Sequence, residues 1–417
     1  MISMNVKTIL ILVFLILLGV LVFPQDIQEE SKVINVEVPV RVFQGNHFVD
    51  NLQLKDFELL ENGVPQKIEA VYLVKKRSIE RSEERKRFYP ETKRTFFLFF
   101  EITEYSPRLK EAVDYFIKNV IYPGDNLVVV TPLKTYRMKS QTFEALSRKE
   151  ITNQFNRLLR RDAMMGSSQY RNAVKELAGL AKSLSATISG GDEGTGISSL
   201  DPLGSDHQEY RGLALGSQLT MYNQLLEKLE DLRKIEQKNL MNFAEYIKDK
   251  EGRKYVFLFY QREFIPMVQP RILNQYLQKY QDKPNVQMTV SDIFDFYKRK
   301  ISFDVEKVKK AYADSSVSMH FMFITRPRKN VNGVRMVEHS EDVYSAFREM
   351  ARATGGFTDS SARPDYLFQE ALDAAKNYYL VYYTPQNYER NGEFREIEVK
   401  VKKGNYRVTH RAGYFAD

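Results

Sequence analysis

The sequence predicts an α/β fold: a mostly parallel sheet with helices on both faces, flanked by β modules at the two ends of the chain. Three observations carry this prediction. Continuous apolar runs, TFFLFF (95–100), NLVVVTPL (126–133), KYVFLFY (254–260) and SVSMHFMFI (316–324), have the character of strands buried on both faces of a parallel sheet. Segments with apolar residues at helical spacing separate them, so strand and helix alternate as in βαβ units. Towards both ends, apolar and polar residues alternate instead, which marks half-buried strands.

The chain opens with Lys7 and the apolar run ILILVFLILLGVLVF (9–23), the charged and hydrophobic regions of an export signal. Residues 1–24 are therefore expected to be a signal peptide. Because VLVFPQD offers poor cleavage residues, a signal anchor in the inner membrane through residues 8–23 stays open. Residues 33–75 form an N-terminal β module: VINVEVPVRVF alternates, GNHFVDN turns, and Asn62-Gly63 supplies a tight turn before QKIEAVYLV returns. Residues 76–94 are dense in mixed charge, lack an apolar face and contain Pro90, so they are expected to be a linker.

The α/β unit is expected over 95–375. After its first strand, Pro107 opens the helical RLKEAVDYFIKNVI, and PGD leads into the second strand. Residues 144–161 continue as helix, the Gly- and Ser-rich tract at about 183–205 is expected to be a mobile loop, and 219–250 reads as one long helix closed by Gly252. Residues 270–313 are amphipathic and helical. A helix at 340–354 follows, with a serine cap and Gly355-Gly356 as its stop, and a last helix covers 365–375. Residues 376–417 then become a C-terminal β module with Asn391-Gly392 and Gly404-Asn405 turns. Neither flank has enough strands for a stable sheet alone. The expectation is one β-sandwich-like module built from 33–75 and 376–417, with the α/β unit inserted.

Composition narrows the function. The 417 residues include no cysteine, which excludes disulfides, thiolate metal sites and a cysteine nucleophile. The net charge of +8 is modest for this length, and its basic residues are interleaved with acidic ones, so nucleic acid is not the expected partner. His47, His207, His320, His339 and His410 have no ligand spacing. No Walker loop, GxSxG elbow or GxGxxG follows a strand, and GGDEG (190–194) lies in the Gly- and Ser-rich tract without the hairpin a cyclase signature needs.

Three stretches carry a resemblance: VEVPVRVFQGNHFVDNLQLKDFELLENGVPQKIEAV (36–71), EMARATGGF (349–357), and YYLVYYTP (378–385) followed by REIEVKVKKGNYRVTHRAGYF (395–415). Together they resemble bacterial exported proteins with a von Willebrand factor A-related domain. The resemblance implies a Rossmann-like sheet whose C-terminal edge carries a metal-ion-dependent adhesion site, with DxSxS after the first strand and further ligands from later loops. A hard cation such as Mg²⁺ wants oxygen ligands in octahedral array.

At the matching positions this chain has Glu101, Thr103 and Tyr105, and Gln261-Arg262 stand where the family has Asp-Gly. Glu is longer than Asp, a phenol is too bulky for a serine position, and Arg262 is expected to bring a cation towards the pocket. The expectation is a degenerate site without metal or cofactor and a non-enzymatic protein in the periplasm or at the cell surface. Its partner is another extracytoplasmic protein, contacted through Glu101, Thr103, Glu104, Tyr105, Gln261 and Arg262. The alternative is a shifted Mg²⁺ site that adds Glu104 and Ser106 to Glu101 and Thr103, in a cation-dependent adhesion receptor; an enzyme comes third.

Overall fold

Period-2 alternation, buried apolar runs and amphipathic helices are each realised in the computed structural model, which describes residues 34–138, 140–188, 210, 213–298, 300–326 and 334–417. The expected signal or anchor, the GGDEG string, His207 and most of the Gly- and Ser-rich tract lie outside the described residues. Among the described residues no helix is long and apolar enough to cross a membrane.

The strands are β1 (Val36–Gln44), β2 (His47–Phe48), β3 (Phe57–Glu61), β4 (Val64–Gln66), β5 (Ile68–Lys75), β6 (Ser78–Glu84), β7 (Arg94–Glu101), β8 (Asn126–Val130) and β9 (Thr135–Met138). They continue as β10 (Arg253–Gln261), β11 (Phe264–Met267), β12 (Val317–Ile324), β13 (Arg335–Glu338), β14 (Thr358–Ser361), β15 (Asn377–Tyr383), β16 (Phe394–Val401), β17 (Arg407–His410) and β18 (Gly413–Phe415). The helices are α1 (Pro107–Asn119), α2 (Ser140–Ala145), α3 (Arg148–Gly166), α4 (Ser168–Ile188), α5 (Leu215–Arg233) and α6 (Gln237–Lys248). After these come α7 (Pro270–Lys279), α8 (Pro284–Phe296), α9 (Val305–Asp314), α10 (Glu341–Ala353) and α11 (Pro364–Lys376).

The fold is mixed α/β. Its central sheet has the order β14-β12-β10-β7-β8-β9, parallel except for β9. β7 and β10 lie at its centre, with Leu98 opposite Phe257 and Phe257 opposite His320. Successive side chains point to opposite faces, so each apolar run feeds two cores. Phe96, Leu98 and Phe100 pack with α1, α3 and α11, whereas Phe97 and Phe99 pack with α6, α9 and α10. A third core, which periodicity does not separate from the other two, joins α4, α5, α7 and α8 to β11.

The two ends of the chain share two antiparallel sheets. The larger has the order β17-β1-β15-β5-β6, with β2 on β1, and the smaller has β18-β16-β3-β4. Val38 pairs with Val381 and Leu59 with Val399, across more than 300 residues of sequence in each case. The sheets touch through the Phe57 and Tyr379 rings, 5.1 Å apart, and through Glu61, whose Oε2 accepts from the hydroxyls of Tyr383 (2.6 Å) and Tyr414 (2.9 Å). Residues Asn35–Asp417 form one compact unit.

Several expectations need correction. The stretch 76–94 is not a linker: Ser78–Glu84 pairs with β5 as an edge strand, and Arg94 begins β7. Its charges are what an edge strand carries, because one side meets solvent rather than another strand. The single helix expected at 219–250 is two, α5 and α6, broken where Lys234 turns extended with ψ 122°. No Gly or Pro marks this break. The helices separate because α5 packs on α4 in the third core while α6 packs on the central sheet. Residues 270–313 divide into α7, α8 and α9, with Pro284 restarting the chain at the first position of α8. Ser183–Ile188, expected in a mobile loop, instead ends α4, and Leu184 is buried there.

Candidate functional site

In an open α/β sheet, ligands gather at the C-terminal edge where the strand order reverses, because the connections on either side diverge and leave a crevice. Here the reversal falls between β7, which continues through α1 to β8 on one side, and β10 on the other. The residues that follow these two strands are the ones the sequence singles out.

Gln261, the last residue of β10, holds the crevice together. Its side-chain Oε1 accepts from the Thr103 amide (2.9 Å), the Thr103 hydroxyl (2.9 Å) and the Glu104 amide (3.2 Å). Thr103 is bonded at every polar group. Its Oγ1 also accepts from Nη1 of Arg326 (3.0 Å), and its carbonyl accepts from the Ser167 hydroxyl (3.2 Å) and from Nη1 of Arg171 (3.0 Å). Arg326 closes the arrangement by placing Nη2 2.7 Å from Oε1 of Glu104. The C-terminal ends of three parallel strands, β7, β10 and β12, are thus tied at one threonine.

The other singled-out residues go elsewhere. Ser106 caps α1, its Oγ accepting from the Leu109 amide at 3.2 Å, ahead of Pro107 in the first turn. The Tyr105 ring packs on the α1 face of the sheet and its hydroxyl donates to Oδ1 of Asn156, while burial and Asp114 push its pKa up. Tyr105 therefore belongs to the core as much as to the edge.

Arg262 departs from expectation. Its Nε lies 3.0 Å from Oε1 of Glu338 and its guanidinium 5.1 Å from the centre of the Phe323 ring, so it turns to the β11–β13 side. The cation that does enter the crevice is Arg326, which sequence reasoning missed. The available signal was positional, since Arg326 lies two residues beyond the buried run 317–324, as Thr103 lies two beyond β7. Ser167 and Arg171, at the junction of α3 and α4, carried no such signal.

Glu101 ends β7 as an exposed residue and, among the described residues, its carboxyl makes no hydrogen bond or ion pair. The protein around its carboxyl is nonetheless dense enough that burial raises its pKa, with nearby Glu263 as the second cause. Glu263 itself is paired with Arg233.

These positions do not suit a divalent cation. Thr103 Oγ1 already donates to Gln261 and accepts from the Arg326 guanidinium, and that guanidinium puts positive charge where a cation would lie. Among the described residues no group of three His, Asp or Glu side chains is placed to hold a metal ion. The Thr103 hydroxyl also donates to an amide oxygen, which is no base, so nothing here activates it as a nucleophile. Comparison of the chain with protein-family models, with curated proteins and with solved structures yields no match in any of the three.

Proposed function

We propose that the chain is a non-enzymatic, extracytoplasmic protein-binding or scaffolding protein. On this reading its α/β unit is a von Willebrand factor A-like domain with a degenerate adhesion site. The strand order supports it: numbered within the sheet, it runs 3-2-1-4-5-6 with strand 3 antiparallel, placing a crevice between strands 1 and 4. The observation that carries it is Thr103, whose hydroxyl, amide and carbonyl are all hydrogen-bonded within the chain, to Gln261, Arg326, Ser167 and Arg171.

In place of a bridging cation, the chain's own guanidinium and amide hold the three strand ends in one geometry. A rigid, polar rim with accessible Glu101 and Glu104 suits contact with a protein partner, to which exposed charges give orientation and specificity. The alternative, a shifted Mg²⁺ site in an adhesion receptor, would need Ser106 and Glu104, which are engaged by the α1 cap and by Arg326.

Thermal unfolding of the purified protein with Mg²⁺, Mn²⁺ or Ca²⁺ tests this. The expected result is the same melting temperature with each metal as with chelator. Metal-dependent stabilisation that disappears in Glu101→Ala would overturn the reading and favour the receptor. Crosslinking in the native envelope, followed by identification of the captured protein, tests the partner class.

A further inference from the structure

At the opposite, N-terminal edge of the central sheet, four cationic side chains converge where this sheet meets the larger antiparallel one. Arg253 and Lys254 begin β10, Arg41 comes from β1, and Arg411 follows β17. They are 7%, 7%, 3% and 7% exposed, so all four are withdrawn from water. Together they line a cavity of about 20 Å³.

The charge there does not balance. Glu37 pairs with Arg253 and, among the described residues, is the only carboxylate in salt-bridge contact with any of the four, leaving three positive charges in excess. Asp314 exerts a field on Arg411 but is held by Lys248 at 2.7 Å, and Asp249 acts on Lys254 only through space. Arg41 donates one bond to the Gly355 carbonyl at 2.9 Å, and Arg411 donates one to the Ser316 hydroxyl. The Nε groups of Arg41, Arg253 and Arg411 are buried without a hydrogen-bond partner. Burial and the mutual repulsion of the cluster push Lys254 down to about 8, and burial lowers Arg41 and Arg411. Burying an uncompensated charge is strongly unfavourable, so the three unpaired cations that β1, β10 and the residue after β17 bring together call for a further counter-charge.

We infer that this cavity is a binding site for one monatomic anion of the halide class, chloride being the natural occupant, which joins the α/β sheet to the antiparallel sheet. Size selects the class: a cavity of this volume accepts one water-sized body, about 10–15 Å³ being enough for a water, and leaves no room for the four oxygens of sulfate or phosphate. Charge selects an anion over water, because a neutral molecule satisfies donors without offsetting the cations. The unpaired Nε–H groups supply the charge-assisted hydrogen bonds.

Two measurements on the full-length protein test this. Crystals prepared in bromide should show one anomalous difference peak between Arg41, Arg411 and Lys254. In solution, the melting temperature should rise saturably with chloride or bromide and stay lower in gluconate at matched ionic strength. Lys254→Met should need a roughly tenfold higher halide concentration for the same rise, the effect of losing one hydrogen bond from a charged group. It should also melt no lower than the wild type in gluconate, since removing one uncompensated charge outweighs the long bond, 3.4 Å, that the ammonium donates to the Lys248 carbonyl; a purely structural lysine would lower stability in both salts. No bromide peak, or equal melting in chloride and gluconate, overturns the inference. So does a peak without a solution effect, which would mean binding at crystal concentration only.

Discussion

Replacing Gln261 by Met tests whether one side chain holds the crevice closed. Met nearly preserves the volume of Gln and removes the acceptor, so packing is kept and only the hydrogen bonds are lost. Three donors converge on Oε1, two from Thr103 at 2.9 Å and one from Glu104 at 3.2 Å. A carbonyl-type oxygen has two lone pairs, so the three share about two full bonds, each worth about 0.5–1.5 kcal/mol net. The Glu104 amide is exposed and takes water in exchange, which places the expected loss at about 1–2 kcal/mol. Urea denaturation should show a lower midpoint with an unchanged slope, as for a change confined to the folded state. A cycle with Thr103→Val isolates the pair, whose coupling should be about 0.5–1.5 kcal/mol because the two groups are in direct contact. If Gln261→Met lies within about 0.3 kcal/mol of the wild type, or the two changes add without coupling, Gln261 does not organise the site.

Glu101→Gln should have an effect that depends on pH. A carboxyl whose folded pKa is raised binds its proton more tightly folded than unfolded. Its favourable contribution is therefore complete below the unfolded value, about 4.3, and is lost as pH rises through the folded one. The variant should match the wild type near pH 4 and exceed it slightly in stability near pH 7.5, the effect being limited because the side chain is exposed, as read from urea midpoints at each pH; equal curves at both would refute the raised pKa of this carboxyl. In the flanking sheets, Tyr383→Phe removes one of the two hydroxyls that satisfy buried Glu61. It should cost about 1.5–3 kcal/mol, the range for a hydrogen bond to a charged group, in equilibrium denaturation, with Tyr89→Phe at an exposed position as the neutral control.

Much of the fold was legible because its signals are local. The runs 95–100, 254–260 and 316–324 are too uniformly apolar for anything but strands buried on both faces, and they became β7, β10 and β12. Ser106-Pro107 marks the start of α1 by the chemistry of the cap itself. Gly355 ends α10 with φ +67°, a conformation that costs glycine nothing. The break between α5 and α6 was not legible, because it is imposed by which core each helix joins. Strand β6 was also hidden, since the alternation of SIERSEE is almost wholly polar and its ladder partner, β5, is what makes it a strand.

The site divides along the same line. The sequence by itself determined which residues follow β7 and β10, and hence that Glu101, Thr103 and Gln261 lie at one sheet edge. Only the tertiary structure decided what they do there: Gln261 bonds Thr103, Arg262 turns away to Glu338, and Arg326, 223 residues beyond Thr103, supplies the cation. It also gathers Arg41, Arg253, Lys254 and Arg411 around one cavity, from positions as far apart as β1 and the end of the chain. The physical reason is that backbone propensity and apolar periodicity act over a few residues, whereas charge and hydrogen-bond pairing act through space and depend on which strands become neighbours.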